Sequence, residues 1–139
     1  MATVIRAEIS ERNKYWICKH RHYELKHFCL QYPIWKQKYE SLPQLTVSAR
    51  LTQLLPGSKT PNDITAAQAI KKARLKEKME LIEQIAKEAD PDIHNYILKA
   101  VTEGLSYTYL STTMRIPCGR DMYYDRYRKF FWLLSEARD

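Results

Sequence analysis

The sequence predicts an all-α protein. Apolar residues recur at helical spacing along most of the 139 residues, while the alternating apolar and polar runs of strands are scarce. Only three glycines are present, which is few for the tight turns of an all-β protein. Prolines and cap residues divide the chain into a helical N-terminal part, a long central helix and a C-terminal three-helix unit with a helix-turn-helix.

The first predicted segment, residues 1–42, is basic and rich in aromatic residues. Its start is expected to be frayed, and Asn13 is the predicted N-cap of a helix that ends near Gln31. Pro33 cannot continue that helix and is expected to open a second short one. Aromatic and apolar side chains at helical spacing are expected to anchor the core, namely Trp16, Tyr23, Phe28, Leu30 and Trp35.

Residues 43–61 contain three prolines and one glycine and are predicted to form a linker. A long helix is predicted over 62–91, capped by Asn62 or Asp63 and rich in Ala, Lys, Glu and Gln. Its apolar residues step by four and three and form a short coiled-coil-like stripe, made of Leu75, Met79, Ile82, Ala86 and Ala89. Such a stripe favours self-association, so we expect a homo-oligomer.

The last segment, 92–139, is predicted to be the helix-turn-helix unit. Its first helix is expected over Asp92–Glu103, and Gly104 stands where a left-handed C-terminal residue ends a helix. Ser106 is the predicted N-cap of a short second helix, Tyr107–Met114. This alternation of caps and breaks predicts two short helices in quick succession.

The final helix is predicted to start around Gly119–Asp121 and to run to Glu136, after a turn in which Ile116 is the apolar plug. Its apolar face has steps of four, three and four and is expected to pack on the core, through Tyr123, Tyr127, Phe130 and Leu134. The opposite face is polar near the start, as a helix that enters the major groove requires. Arg120 is suited to bidentate pairing with guanine. Two ordinary core helices joined by a loop would show a similar pattern, and that alternative stays open.

The net charge of +7 favours a polyanionic partner. Positive charge is concentrated in two blocks, 12–38 and 115–129, and the first is the stronger. Four side chains of the first block are expected to contact DNA phosphates, namely Lys14, Lys19, Arg21 and Lys26. A protein partner for this aromatic and basic block is the alternative.

The stretch GLSYTYLSTTMRIPCGRDMYYDRYRKFFWLL, residues 104–134, resembles the C-terminal helix-turn-helix of ArpU/RinA-type phage transcriptional regulators, which is related to region four of sigma factors. KYWICKHRHYELKHFCLQYPIWKQKY, residues 14–39, is similar to the tyrosine-rich start of small prophage proteins. The resemblance implies a regulator of late phage genes that binds a promoter and helps recruit host RNA polymerase. Two aspartates, Asp121 and Asp125, depart from a strongly basic recognition helix.

Carried over by position, the resemblance implies DNA-recognition residues at Gly119, Arg120, Asp121, Tyr124, Asp125 and Arg128. It leaves further phosphate contacts to Arg115, Arg126 and Lys129. The expected partners are double-stranded DNA, host RNA polymerase and a second copy of the chain. Two alternatives stay open: a small terminase subunit for DNA packaging, and a protein-binding inhibitor such as an anti-CRISPR or a polymerase-binding factor.

Several classes of function are not expected. No phosphate-binding glycine pattern or nucleophile motif is present, so we expect neither an enzyme nor a small-molecule substrate or cofactor. Of the Cys and His residues near the N-terminus, only Cys18 and His22 share a helix face, so no metal site is expected. The odd number of cysteines and the lack of an apolar leader or span favour the cytoplasm of a bacterial host and no membrane partner.

Overall fold

Six helices make up the described part of the chain, and no β-strand occurs in that part, so the all-α prediction is confirmed. The computed structural model describes residues 12–42 and 59–139, with the backbone alone for 59–65. The predicted leader and linker therefore lie outside the described residues, except for 59–61. The helices are α1 (Lys19–Leu30), α2 (Tyr32–Ser41), α3 (Lys59–Ala89), α4 (His94–Glu103), α5 (Tyr107–Thr112) and α6 (Arg120–Ala137).

The chain divides into two compact units. Of the described residues, the first unit takes 12–33 and 81–139, and the second takes 34–42 and 59–80. The first unit contains α1, the last turns of α3 and all of α4, α5 and α6. It therefore holds the whole of the predicted helix-turn-helix together with the basic N-terminal helix.

The first helix begins later than predicted. The N-cap of α1 is Cys18, not Asn13. The Asn13 side chain instead accepts a hydrogen bond from the backbone N–H of Tyr15 at 2.9 Å, and its carbonyl accepts one from Trp16 N at 3.0 Å. Asparagine commonly closes such a local turn, and that turn competes with a helix start.

The buried face of α1 consists of His22, Leu25, Phe28 and Cys29, and α1 packs against α4 and α6. Phe28 and, in the second unit, Trp35 are buried as predicted. The prediction is wrong for Trp16 and Tyr23, which are 36% and 43% exposed. The buried stripe lies one position earlier along the helix than the predicted one.

The second unit contains most of α2 and the first part of α3. Pro33 lies in the first turn of α2, as predicted. The predicted cap of the long helix is wrong, because α3 begins at Lys59 and so includes Asn62 and Asp63. Pro61 is compatible with this earlier start, since the first turn of a helix needs no backbone donor.

The apolar stripe of α3 is part of the chain's own core. Met79, Ile82, Ala86 and Ala89 are each 8% exposed or less, and Leu75 is half-buried. Side chains buried within one chain do not offer a surface to a second copy. Self-association therefore stays a prediction that requires some other surface.

A capped turn joins α3 to α4. The Asp90 Oδ1 atom accepts hydrogen bonds from the backbone N–H groups of Asp92, at 2.8 Å, and Ile93, at 3.3 Å. Helix α4 consequently begins at His94, two residues after the predicted start. It ends at Gly104 in the left-handed conformation, with φ at 72°, as predicted.

Candidate nucleic-acid interface

Helix α5 is short and is held at its start by side-chain hydrogen bonds. Ser106 is its N-cap, as predicted, and its Oγ accepts from the Tyr109 N–H at 3.2 Å. Leu110, on the inner face of this helix, is fully buried. The Tyr107 hydroxyl donates to the Cys118 carbonyl at 2.9 Å, which ties the start of α5 to the end of the following turn.

The turn between α5 and α6 is fixed by one buried side chain. Ile116 is buried, which confirms the predicted plug, and its N–H donates to the Leu110 carbonyl at 3.0 Å. Arg115 precedes it in the left-handed conformation, with φ at 54°. A non-glycine residue rarely adopts this conformation without tertiary support, here supplied by Ile116. The connection from Thr113 to Gly119 is longer than the roughly 3–4 residues common in DNA-binding helix-turn-helix motifs.

The predicted apolar face of α6 is its anchor. Tyr123, Phe130 and Leu134 are buried as predicted, and Tyr127 is half-buried. Phe131 is also buried, although the predicted stripe omits it. Its ring lies 4.9 Å from that of Tyr127 and 5.0 Å from that of Phe130, both edge-on. Such edge-on aromatic contacts fix the orientation of a helix as well as burying apolar area.

The start of α6 is open to solvent. Gly119, Arg120 and Asp121 are exposed, while Tyr124 and Asp125 are half-buried. The guanidinium carbon of Arg120 lies 5.4 Å from the centre of the Tyr124 ring, an attractive cation–π contact that orients the arginine.

Two exposed apolar side chains lie on the same pair of helices and were not predicted as functional. Met122 on α6 and Tyr109 on α5 are both exposed. An apolar side chain in this position suits contact with a thymine methyl group. No sequence signal distinguishes them, because methionine and tyrosine at helical spacing are also typical of a core.

Arg126, a predicted phosphate contact, is bound by two carboxylates within the protein. Its Nε donates to Asp90 Oδ2 at 3.0 Å, and its Nη1 donates to Asp125 Oδ2 at 2.5 Å. Burial alone would raise the pKa of Asp90, but hydrogen bonds from Asp92 N, Arg126 and Ile93 N outweigh it and lower that pKa. The hydrogen bond from Arg126 Nη1 also offsets the negative charge of Asp125, one of the two acidic residues on the predicted recognition face.

Arg21, another predicted phosphate contact, joins α1 to the last turns of α6. Its Nε donates to Ser135 Oγ and its Nη2 to the Ser135 carbonyl, both at 3.0 Å. Its Nη1 lies 2.7 Å from Glu24 Oε1. A guanidinium with three such partners is a structural connection between two helices.

The other predicted basic residues differ in exposure. Lys14, Lys19 and Arg115 are exposed, whereas Lys26, Arg128 and Lys129 are half-buried. The Lys14 and Lys19 ammonium groups lie 4.9 Å and 5.9 Å from the ring centres of Tyr15 and Tyr23. The Nε of Arg128 is buried and has no hydrogen-bond partner among the described residues.

The described part of the chain contains neither a cluster of metal ligands nor a helix fit to cross a membrane. Cys18 is exposed whereas His22 is buried, and no three His, Cys, Asp or Glu side chains of the described residues converge to hold an ion. None of the described helices combines the length and apolar composition that crossing a bilayer demands.

Comparison of the chain with protein families, with curated proteins and with solved structures gives no match.

Proposed function

We propose that this chain binds double-stranded DNA through the first turns of α6 and acts as a phage or prophage transcriptional regulator. The observation that supports the proposal is that α6 begins with exposed residues while its apolar face is packed on the core. Arg120 is exposed and contacts the Tyr124 ring, while the buried side chain of Tyr123 packs the same turn against the core. An arginine oriented in this way is suited to reading guanine in the major groove. The regulatory role is supported only by the resemblance.

The phosphate contacts in this proposal are fewer than the sequence indicates. Arg21 and Arg126 would each have to leave partners within the protein to reach DNA. The other predicted phosphate contacts are exposed or half-buried side chains at the surface. We assign phosphate contact to Lys14, Lys19, Lys26, Arg115 and Lys129.

A homo-oligomer and host RNA polymerase are further partners in the proposal. A dimer would place two α6 helices in successive major grooves, about 34 Å apart. Light scattering on the free protein tests this, since a dimer fits the regulator and a ring would favour the small terminase subunit instead.

One observation favours the protein-binding inhibitor as a second candidate. Trp16 and Tyr23 are exposed next to the lysines of the N-terminal segment. Exposed aromatic side chains beside cationic ones are typical of interaction hot spots. Tight binding to a protein partner with no DNA footprint would select this alternative.

Replacing Arg120 by alanine is expected to reduce the preference for a selected DNA site over random DNA about tenfold, because a bidentate guanine contact contributes about 1–3 kcal/mol. Most of the non-specific affinity should remain, since phosphate contacts are untouched. The site is first obtained by selection from a random library with the purified protein, and affinities are then measured by fluorescence anisotropy. Arg74→Ala, an exposed arginine of α3, is the charge-matched control. An equal preference in Arg120→Ala and wild type would refute the assignment of α6.

Replacing Lys14 and Lys19 by glutamine is expected to make the slope of log K against log salt shallower by about 2, because each phosphate contact releases close to one counterion. The matched control is Lys71→Gln with Lys87→Gln, two exposed lysines of α3. If both double variants change the slope equally, net charge and not the N-terminal block accounts for the effect, and the phosphate assignment fails.

A further inference from the structure

Two carboxylates lie one helical turn apart on the polar face of α6, and their surroundings differ. Asp121 is exposed, and among the described residues it takes part in no ion pair or side-chain hydrogen bond. Asp125 is half-buried, and its Oδ2 atom accepts a hydrogen bond from Arg126 Nη1 at 2.5 Å. The structure therefore distinguishes two acidic residues to which the sequence gives the same expected role.

The arginine that binds Asp125 is itself fixed to the core. Its Nε donates to Asp90 Oδ2 at 3.0 Å, and Asp90 is 5% exposed. To reach a base, Asp125 would have to give up a hydrogen bond in which both partners are charged, and such bonds are among the strongest in proteins. Asp121 has no bond of this kind to give up. Of the two acids, Asp121 is therefore the one available to DNA.

The chemistry of a carboxylate selects one base in the major groove. A carboxylate only accepts hydrogen bonds. Cytosine presents an amino donor there, whereas guanine and thymine present acceptors. Arg120, the preceding residue, has only donors and matches the two acceptors of guanine. The two neighbouring side chains at the exposed start of α6 thus have complementary base preferences.

Two other effects of Asp121 do not depend on the base sequence. Its negative charge repels the phosphates of every duplex alike. An acidic residue in the first turn also stabilises a helix through the partial positive charge at its N-terminus. The first effect changes the affinity for all DNA and the second changes stability. A change in base preference therefore separates base contact from both.

We propose that Asp121 is a specificity-determining residue that accepts a hydrogen bond from a cytosine amino group, while Asp125 contacts no base. The proposal rests on the proposed function, which is binding of duplex DNA by the start of α6. The preferred duplex then has a cytosine at or next to the base pair that Arg120 contacts.

Selection from a random duplex library with wild type, Asp121→Asn and Asp125→Asn tests the proposal. The two variants are matched, because each replaces an acid on the same helix by its amide and removes one negative charge. Only Asp121→Asn is expected to change the selected base at one position, from cytosine to adenine, whose N6 and N7 match an asparagine side chain. An Asp121→Asn variant that selects the wild-type sequence would overturn the proposal, as would a changed base in Asp125→Asn.

A change in the DNA gives a second measurement. Replacing the selected cytosine by thymine is expected to weaken binding by wild type about tenfold and binding by Asp121→Asn less than twofold, as measured by fluorescence anisotropy. Circular dichroism establishes that the variants are folded. An equal loss in both proteins overturns the role of Asp121 and leaves the proposed function in place if Arg120→Ala still reduces the preference. A wild-type protein that selects no sequence overturns the proposed function as well.

Discussion

Replacing Asp90 by alanine is expected to lower the free energy of unfolding by about 3 kcal/mol. Asp90 is 5% exposed, and its two oxygens serve different partners. Oδ1 accepts from the Asp92 and Ile93 N–H groups, and Oδ2 accepts from Arg126 Nε. Alanine would leave these donors without an acceptor at the junction of α3, α4 and α6. Urea unfolding at pH 7, followed by circular dichroism, measures the loss.

Asp90→Asn separates the two roles of this side chain. Asparagine keeps an Oδ1 that can accept from the backbone N–H groups but removes the charge that faces Arg126. We expect it to lose roughly half as much stability as alanine, since hydrogen bonds to charged groups contribute about 1.5–3 kcal/mol. An alanine variant within about 0.5 kcal/mol of the wild type, the range of ordinary surface substitutions, would show that this junction is not held by Asp90.

Much of the C-terminal unit was predictable because its signals are local. Ser106 as an N-cap, Gly104 as a left-handed terminus and Ile116 as a plug each follow from the preferences of one residue type at one position. The structure confirms all three. Asn13 shows the limit of such rules, since its side chain serves a turn and a helix N-cap equally well and here closes the turn.

The face of α1 was not predictable from its own sequence. Aromatic and polar side chains occur all around this helix. Two neighbouring stripes that repeat every seven residues could therefore form its buried face, and packing against α4 and α6 decides which of them is buried. Tyr23 on this helix and Trp16 just before it can remain exposed, because tyrosine and tryptophan each have a polar atom.

The sequence predicts where the candidate site lies, but not which of its charged side chains are bound to partners within the protein. The sequence places Arg21 and Arg126 among the free cations of the surface. The partners that bind them within the protein are 114 and 36 residues away along the chain, Ser135 and Asp90. A pattern of nearby residues contains no information on such distant pairs. Predicted phosphate contacts therefore need the tertiary structure before they are assigned.

The burial of His22 makes the folding stability depend on pH, which its position in the sequence alone does not show. The ring is buried edge-on against Phe131, and burial, followed by the charge of Lys26, lowers its pKa from 6.5 to about 4. Between pH 6.5 and pH 4, His22 is protonated in the unfolded chain but neutral in the folded protein. Folding stability must therefore fall as the pH decreases from about 6.5 towards 4.

We accordingly expect the free energy of unfolding to decrease by about 2 kcal/mol between pH 7 and pH 4.5 through His22 alone. His22→Leu, of similar volume, removes the titrating ring and should reduce the pH dependence by this amount, whatever its effect on stability at pH 7. His20→Gln is the matched control, since His20 is exposed on the same helix. Urea unfolding of all three proteins at both pH values gives the comparison. If His22→Leu and His20→Gln show the same pH dependence as the wild type, the neutral, buried state of His22 is not what couples this fold to pH.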